Sequence, residues 1–350
     1  MQLSPSTEPR PPTPQPTWHD VVKRYQQPDL KRSLWQLINT FVPFFALWYL
    51  AYHSLAYSYV LTLLIAIVIG GLTTRIFIIF HDCGHGSFFR SQSWNDALGI
   101  FCSLFVVTPY YQWRHDHAVH HATAGDLDRR GIGDITTLTV REYLARSRWE
   151  QFTYRLYRHP LVLFGVGPLY LFLISQRFAS SSAKRRERRN VHWTNGALVL
   201  LAAGLALWLG PLPLLLVELP IAVVASAAGV WLFYVQHQFE DTYWEYHATW
   251  QYPLAALHGS SYYQLPAVLR WFSGNIGLHH IHHLNARIPN YRLRQCHREN
   301  PQFQQVTTLT LRSSLTCIGL TLWDEEQSRL VGFGHLKAGL HTGQYFDMVE

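Results

Sequence analysis

Four apolar runs decide what this chain can fold into. Residues 35–52, 59–80, 196–209 and 214–235 carry almost no charge. The interior of a bilayer offers no partner to backbone N–H and C=O groups, so a crossing segment of ~20 apolar residues has to be helical. The third run is short for a span and must extend backwards or tilt. The connections within each pair, 53–58 and 210–213, are tight. The four spans therefore read as two helical hairpins, and the predicted fold class is an all-α integral membrane protein whose hairpins carry a helical cap.

Charge orients the hairpins. Of 29 Lys and Arg residues, only Arg75 falls inside a predicted span, and neither hairpin tip contains one. The positive-inside tendency then places every other basic segment, and both termini, on the cytoplasmic side of the cell's inner (plasma) membrane. The chain divides into a polar, Pro-rich segment 1–34, a first hairpin 35–80, a cytoplasmic region 81–195, a second hairpin 196–235 and a cytoplasmic cap 236–350. Residues 1–34 lack the apolar core of a secretory signal. Two shorter apolar stretches, 98–111 and 160–174, are interrupted by Pro and Gly and read as interfacial or re-entrant helices. The net charge of +7 comes without a nucleic-acid motif, which favours a lipid surface over nucleic acid. The basic run 184–189 is a stop-transfer anchor with a solvated face or, more pointedly, a phospholipid headgroup contact. Four cysteines without a CxxC pair suggest neither a disulfide framework nor a zinc ribbon.

Histidine is the outlier. Segments 81–85, 115–121 and 279–283 hold 10 of the 20 histidines in 17 residues. His81 and His85 are spaced i, i+4. His117, His120 and His121 are spaced i, i+3, i+4, as are His279, His282 and His283, so on a helix each set is expected to project from one face and grip a metal from one side. His115 and His280 fall off those faces and read as residues that support a ligand or lie at the surface. His237, at the exit of the last span, is either a ninth ligand or a helix-end histidine bound to a peptide carbonyl. Asp126, Asp128 and Asp134 sit among glycines as turn caps, with a hydrogen bond to a ligating histidine as the alternative, foremost for Asp134. Asn275, four residues before His279, could share its face and support it directly or through water. Cys83 is a small filler between two ligands.

Eight or nine imidazoles exceed the needs of one zinc ion and fit two metal ions with open positions. No HExxH motif is present. Two redox-capable irons cycling between Fe2+ and Fe3+ would reduce O2, although ligand type alone also admits zinc or manganese. A histidine-rich metal transporter or sensor is the alternative of a different class; it would need polar groups in the spans, which carry little beyond Arg75 and Glu218.

The motifs HDCGHGSFF (81–89), WRHDHAVHH (113–121) and GLHHIHHLNARIPNYRL (277–293) resemble the three histidine boxes of membrane fatty acid desaturases. Further segments, among them GVWLFYVQHQFEDTYWE (229–245) and GSSYYQLPAVLRW (259–271), look like the bacterial acyl-lipid (phospholipid) desaturases of the Δ5, cold-responsive type. The resemblance spans roughly residues 30–330. It implies a diiron centre ligated by His81, His85, His117, His120, His121, His279, His282 and His283, and it favours His237 as a ninth ligand. It also implies O2 as co-substrate, ferredoxin or flavodoxin as electron donor, and a cis double bond introduced into acyl chains of membrane lipids. A membrane diiron hydroxylase, ketolase or alkane monooxygenase, built on similar boxes, is the nearest rival reaction.

Overall fold

The computed structural model describes residues 17–336. Most of the Pro-rich opening and the last part of the cap lie outside the described residues. Four helices are long and apolar enough to cross a membrane: Leu30–Ser54, Tyr59–Gly84, Arg185–Leu209 and Pro211–His237. Each begins or ends where local chemistry dictates. The Asp29 carboxylate accepts the Arg32 N–H to start the first helix, and the Ser58 hydroxyl accepts the Leu61 N–H to start the second. Gly210, at φ +88°, ends the third helix, and Pro211 opens the fourth.

Two predicted boundaries move. The first helix starts at Leu30 rather than 35, and the third starts at Arg185 rather than 196. Residues 185–195 contain no Pro or Gly and are rich in Arg, a good helix former, so the helix runs back through them until the Glu187 carboxylate takes the Lys184 N–H. The basic run 184–189 is thus the first turn of the span itself. The two interfacial stretches differ as well. Residues 98–111 are split between the helices Gln92–Cys102 and Tyr110–Thr123 by a turn in which Val107 is left-handed (φ +49°). Residues 160–174 form a π-turn, Val162–Val166, and a short helix, Gly167–Leu173. That pair bends 56° against Arg148–Tyr157, as in a broken span or re-entrant loop. Its exposed apolar side chains include Trp149, Phe152, Leu161, Val166, Tyr170 and Phe178.

The second helix is the centre of the molecule, packed between the first and the fourth. Gly70 allows the closest approach: a Cβ there would stand 2.6 Å from Val224 Cγ1. The two charged residues expected within the spans act as ties. Arg75 donates to Thr40 Oγ1 (3.0 Å), to Asn39 Oδ1 (3.3 Å) and to the Trp271 carbonyl, and lies over the Trp271 ring. At the other end, the Glu218 carboxylate accepts from Trp48 Nε1 (2.6 Å) and from the Tyr52 hydroxyl (3.2 Å), joining the hairpins. The cap is mostly short helices with two small sheets. In one, Leu138–Thr139 pairs parallel to Leu322–Asp324, which pairs antiparallel to Arg329–Val331. In the other, Tyr262–Tyr263 pairs parallel to Thr308–Leu309. These strands of two or three residues leave the fold class a helical membrane protein with a cap.

Candidate metal centre

Two short helices and two span ends converge where the membrane helices meet the cap. His81 lies in the last turn of the Tyr59–Gly84 span and His85 caps it. His117, His120 and His121 ride on Tyr110–Thr123, and His279, His282 and His283 on the fully buried helix His279–Leu284. His237 ends the fourth span. Nine histidines form two groups, and within each group one ring nitrogen per residue lies within 4.8 Å of all the others. Five belong to the first group: His81, His85, His117, His121 and His282. The second holds His120, His237, His279 and His283.

This grouping corrects the expectation that each triplet serves one metal. On a helix, positions i+3 and i+4 diverge by about 100° around the axis. His117 and His121, a full turn apart, therefore enter the five-histidine group, while His120 swings into the other. The 279–283 segment mirrors this: His279 and His283 join the four-histidine group and His282 crosses over. Each short helix feeds both groups, so the groups are adjacent; His121 and His283 stack with ring centroids 4.1 Å apart.

Hydrogen bonds fix the direction of the lone pairs. His120 Nδ1 lies 2.5 Å from Asp134 Oδ1, and His237 Nδ1 lies 3.1 Å from the Gly259 carbonyl. Those oxygens only accept, so each Nδ1 carries the hydrogen and each Nε2 presents a lone pair. Yet the two Nε2 atoms are 3.2 Å apart, and His279 Nε2 is 3.0 Å from that of His237. The facing lone pairs of His120 and His237 repel unless a cation sits between them, while His279, whose Nδ1 has no partner among the described residues, can take either tautomer. In the five-histidine group, His81 Nδ1 pairs with Asp82 Oδ1 (3.2 Å), and His121 Nε2 lies 3.2 Å from His117 Nε2 and 3.0 Å from His282 Nε2. The Nε2 atoms of His85 and His283 are buried with no hydrogen-bond partner among the described residues. Burial, reinforced by the neighbouring histidines, holds His85, His117, His121, His279, His282 and His283 well below the usual imidazole range. Neutral, converging and unsatisfied imidazoles fit two transition-metal ions.

The remaining candidates separate. Asp134 bonds a histidine of the site. His115 is half-buried on its helix and belongs to neither group. His280 is buried but turns away, its Nε2 donating to the Phe303 carbonyl (2.9 Å). Asn275 shares no face with His279. Gly274 and Asn275 are consecutive left-handed residues (φ +54° and +61°), so the helix starts only after them, and the Asn275 amide donates to the Asn290 carbonyl. Asp126 caps the turn Leu127–Arg129 and pairs with His247 Nδ1 (2.8 Å), while Asp128 accepts the His247 N–H. Cys83 is buried filler.

Sequence reasoning missed Asp82, whose buried carboxylate bonds His81 and also accepts from the backbone and side-chain amides of Asn290 (both 2.8 Å). The available signal was its place between two ligands: an acid there has to be satisfied internally. The Gly259 carbonyl carried no signal. Phe233, one turn before His237, lies with its ring centroid 5.0 Å from His120 and 5.1 Å from His237. It lines a cavity of about 290 Å³ together with His120, His237, Ile135, Leu138 and Trp244. No histidine of the five-membered group lines that cavity.

A sequence model of the fatty acid desaturase family matches residues 56–313. A fatty acid desaturase of Bacillus subtilis is 49% identical over 316 residues, which is 90% of either chain. The sn-1 acyl-lipid omega-3 desaturase (ferredoxin) of Synechocystis is 27% identical over 65% of this chain and 63% of its own. The sn-1 oleoyl-lipid 12-desaturase of the same organism is 26% identical over 65% of each.

Proposed function

The chain belongs to the fatty acid desaturase family, and from that premise we propose that it places a cis double bond in saturated acyl chains of membrane phospholipids, using O2 and two iron ions held by the nine histidines. The observation that supports this most is the pair of interleaved groups of converging, buried imidazoles whose ring nitrogens face one another. An unactivated methylene has neither an acidic proton nor an electrophilic carbon, so side-chain acid–base chemistry cannot attack it, and an iron pair supplies the oxidising power. Two hydrogen atoms, that is two protons and two electrons, leave the acyl chain. With two further electrons from a donor and two protons, they reduce one O2 to two waters.

The protein's own part is positional. Asp134 and the Gly259 carbonyl hold His120 and His237 in one tautomer and orientation, and Asp82 does the same for His81. Phe233, Ile135 and Leu138 give the cavity beside His120 and His237 an apolar wall against which a hydrocarbon chain can lie, opposite a polar side that includes Arg130, Asp134 and Glu142. Basic residues concentrated outside the apolar spans support a cytoplasmic placement of the cap and active site at the inner membrane, so that lipid enters laterally and a soluble donor docks from the aqueous side. The net charge of +7 favours an acidic donor such as ferredoxin or flavodoxin.

Expression in a host followed by acyl-chain mass spectrometry with double-bond localisation tests the reaction. New cis-unsaturated phospholipid chains are expected. Hydroxylated or ketone products, or no lipid change beside stoichiometric zinc in the purified protein, would overturn it.

A further inference from the structure

Away from the histidines, a polar recess of about 440 Å³ lies between the start of the first span and the helix Asn290–Glu299. Arg32 reaches into it from the first turn of the span, and Arg294 and Arg298 from the helix. Tyr291 closes the back: its hydroxyl accepts the Asp29 N–H (2.9 Å) and bonds Ser33 Oγ (3.1 Å), fastening the helix to the span.

The recess holds three arginines against Glu299 on its rim and Asp29 beside Arg32, so positive charge is in excess. Arg294 and Arg298, one turn apart on the same helix face, are exposed, and their guanidinium groups make no hydrogen bond or close ion pair among the described residues, although Arg298 attracts the neighbouring Glu299 carboxylate. Like charges at i, i+4 repel. The nearby Glu299 carboxylate is turned to the Tyr25 hydroxyl (2.7 Å) and the Gln295 amide (3.0 Å), and Arg32 is only 3.9 Å from the partly exposed Asp29. The basic run at 184–189 differs. There Arg186 stacks on Tyr111 and pairs with Asp96, and Arg188 donates to the Ala183 and Ser181 carbonyls.

Depth indicates the ligand. Leu30, Leu34 and Trp35 are exposed on the turns that flank Arg32, at 62%, 46% and 64%. A Trp with leucines at the head of a span marks the level where acyl chains give way to headgroups. Guanidinium groups there meet phosphate oxygens, with bidentate geometry and little competition from bulk water. We propose that Arg32, Arg294 and Arg298 form a binding site for the phosphate of a membrane phospholipid headgroup. The site is separate from the metal centre and independent of which reaction the centre performs. A protein partner carrying carboxylates would approach from water and is disfavoured by the membrane-level apolar rim.

The test uses the full-length, metal-loaded protein in detergent. Thermal-shift titrations compare a short-chain phosphatidate, the matching diacylglycerol without phosphate, and inorganic phosphate. The phosphatidate is expected to stabilise the protein at concentrations at which neither of the other two does. R294Q/R298Q should weaken that binding roughly fivefold per arginine, and R294K/R298K, which keeps the charge but loses the bidentate fork, should recover only part of it. An unchanged unfolding midpoint and metal content in the unliganded variant shows that it folds. Equal stabilisation by the diacylglycerol, inorganic phosphate binding as tightly as the lipid, or wild-type lipid affinity in the glutamine variant would each overturn the proposal. So would a variant that loses only ferredoxin binding, which would assign the recess to the donor.

Discussion

The two histidine groups are built from the same two short helices, yet they differ in kind. The five-histidine group takes two residues from the end of a membrane span, packs against Trp113 and Asp82, and has half-buried members in His85 and His117, whereas all four histidines of the other group are buried; none of the five lines the cavity. The four-histidine group has one ligand candidate fewer, and His120 and His237 face that cavity directly. If both hold iron, the cavity beside His120 and His237 makes the second group the one that small molecules and the acyl chain approach, and the first, with its extra imidazole, the anchor. The shared helices keep the two together, because neither group can move without displacing the other.

Removal of ligands gives the largest effect and probes that contrast directly. His279→Ala leaves the second group three imidazoles, whereas His85→Ala leaves the first group four. Both should lower desaturation by more than about a hundredfold, because even the partners behind metal ligands cost 10–100-fold. Metal content should separate them: elemental analysis of purified protein is expected to show a loss of about one metal per chain for His279→Ala and a smaller loss for His85→Ala. Equal losses would erase the distinction between the groups. Exhaustive chelation should abolish activity altogether and lower the unfolding midpoint, because the buried lone pairs would again face one another; readdition of iron should restore both.

The residues behind the ligands come next. Asp134→Asn weakens the support of His120 alone and should cost about 10–100-fold in activity or metal affinity, with the defect confined to one metal. Asp82→Asn acts on the other group and also disturbs the two bonds from Asn290 that start the helix Asn290–Glu299. It should therefore lower stability in addition, by about 1.5–3 kcal/mol. Chemical denaturation read beside iron spectroscopy distinguishes the two. A stability loss as large in the Asp134 variant would mean that Asp82 has no special structural share.

The contrast between the groups was not legible in the sequence, although most of what surrounds it was. Long uncharged runs can only be helices in lipid, and the hairpins follow from them. The start of the third span was missed because polar helix formers continue a helix without any apolar signal; only the cap at Lys184 and Glu187 marks its end. The clustering of histidines was plain from composition, but their division was not. Spacing by three and by four looks alike in a linear motif, and only the 100° between those positions, set against neighbouring helices, sends His120 and His282 across. Asn275 misled for a related reason. Four residues of separation imply a shared face only if the helix is continuous, and two left-handed residues break it there. Contacts such as Gly259 to His237, or Phe233 over His120, depend on tertiary approach and leave no local pattern.

Phe233 offers the finest probe, because it touches only the open group. Its ring is half-buried and forms part of the cavity wall beside His120 and His237. Phe233→Ala removes no ligand and no hydrogen bond, so metal content should stay at the wild-type level. What changes is how tightly a hydrocarbon chain is held against the site. A methylene displaced by a fraction of an ångström reacts more slowly, and a looser wall lets neighbouring methylenes take its place. The expected outcome is a fall in activity within about tenfold together with a spread of double-bond positions, read by mass spectrometry of the products. A uniform slowing with one unchanged position would mean that Phe233 packs the histidines without guiding the chain. The cavity would then be an access route, and the acyl chain would have to approach the four-histidine group from the membrane side.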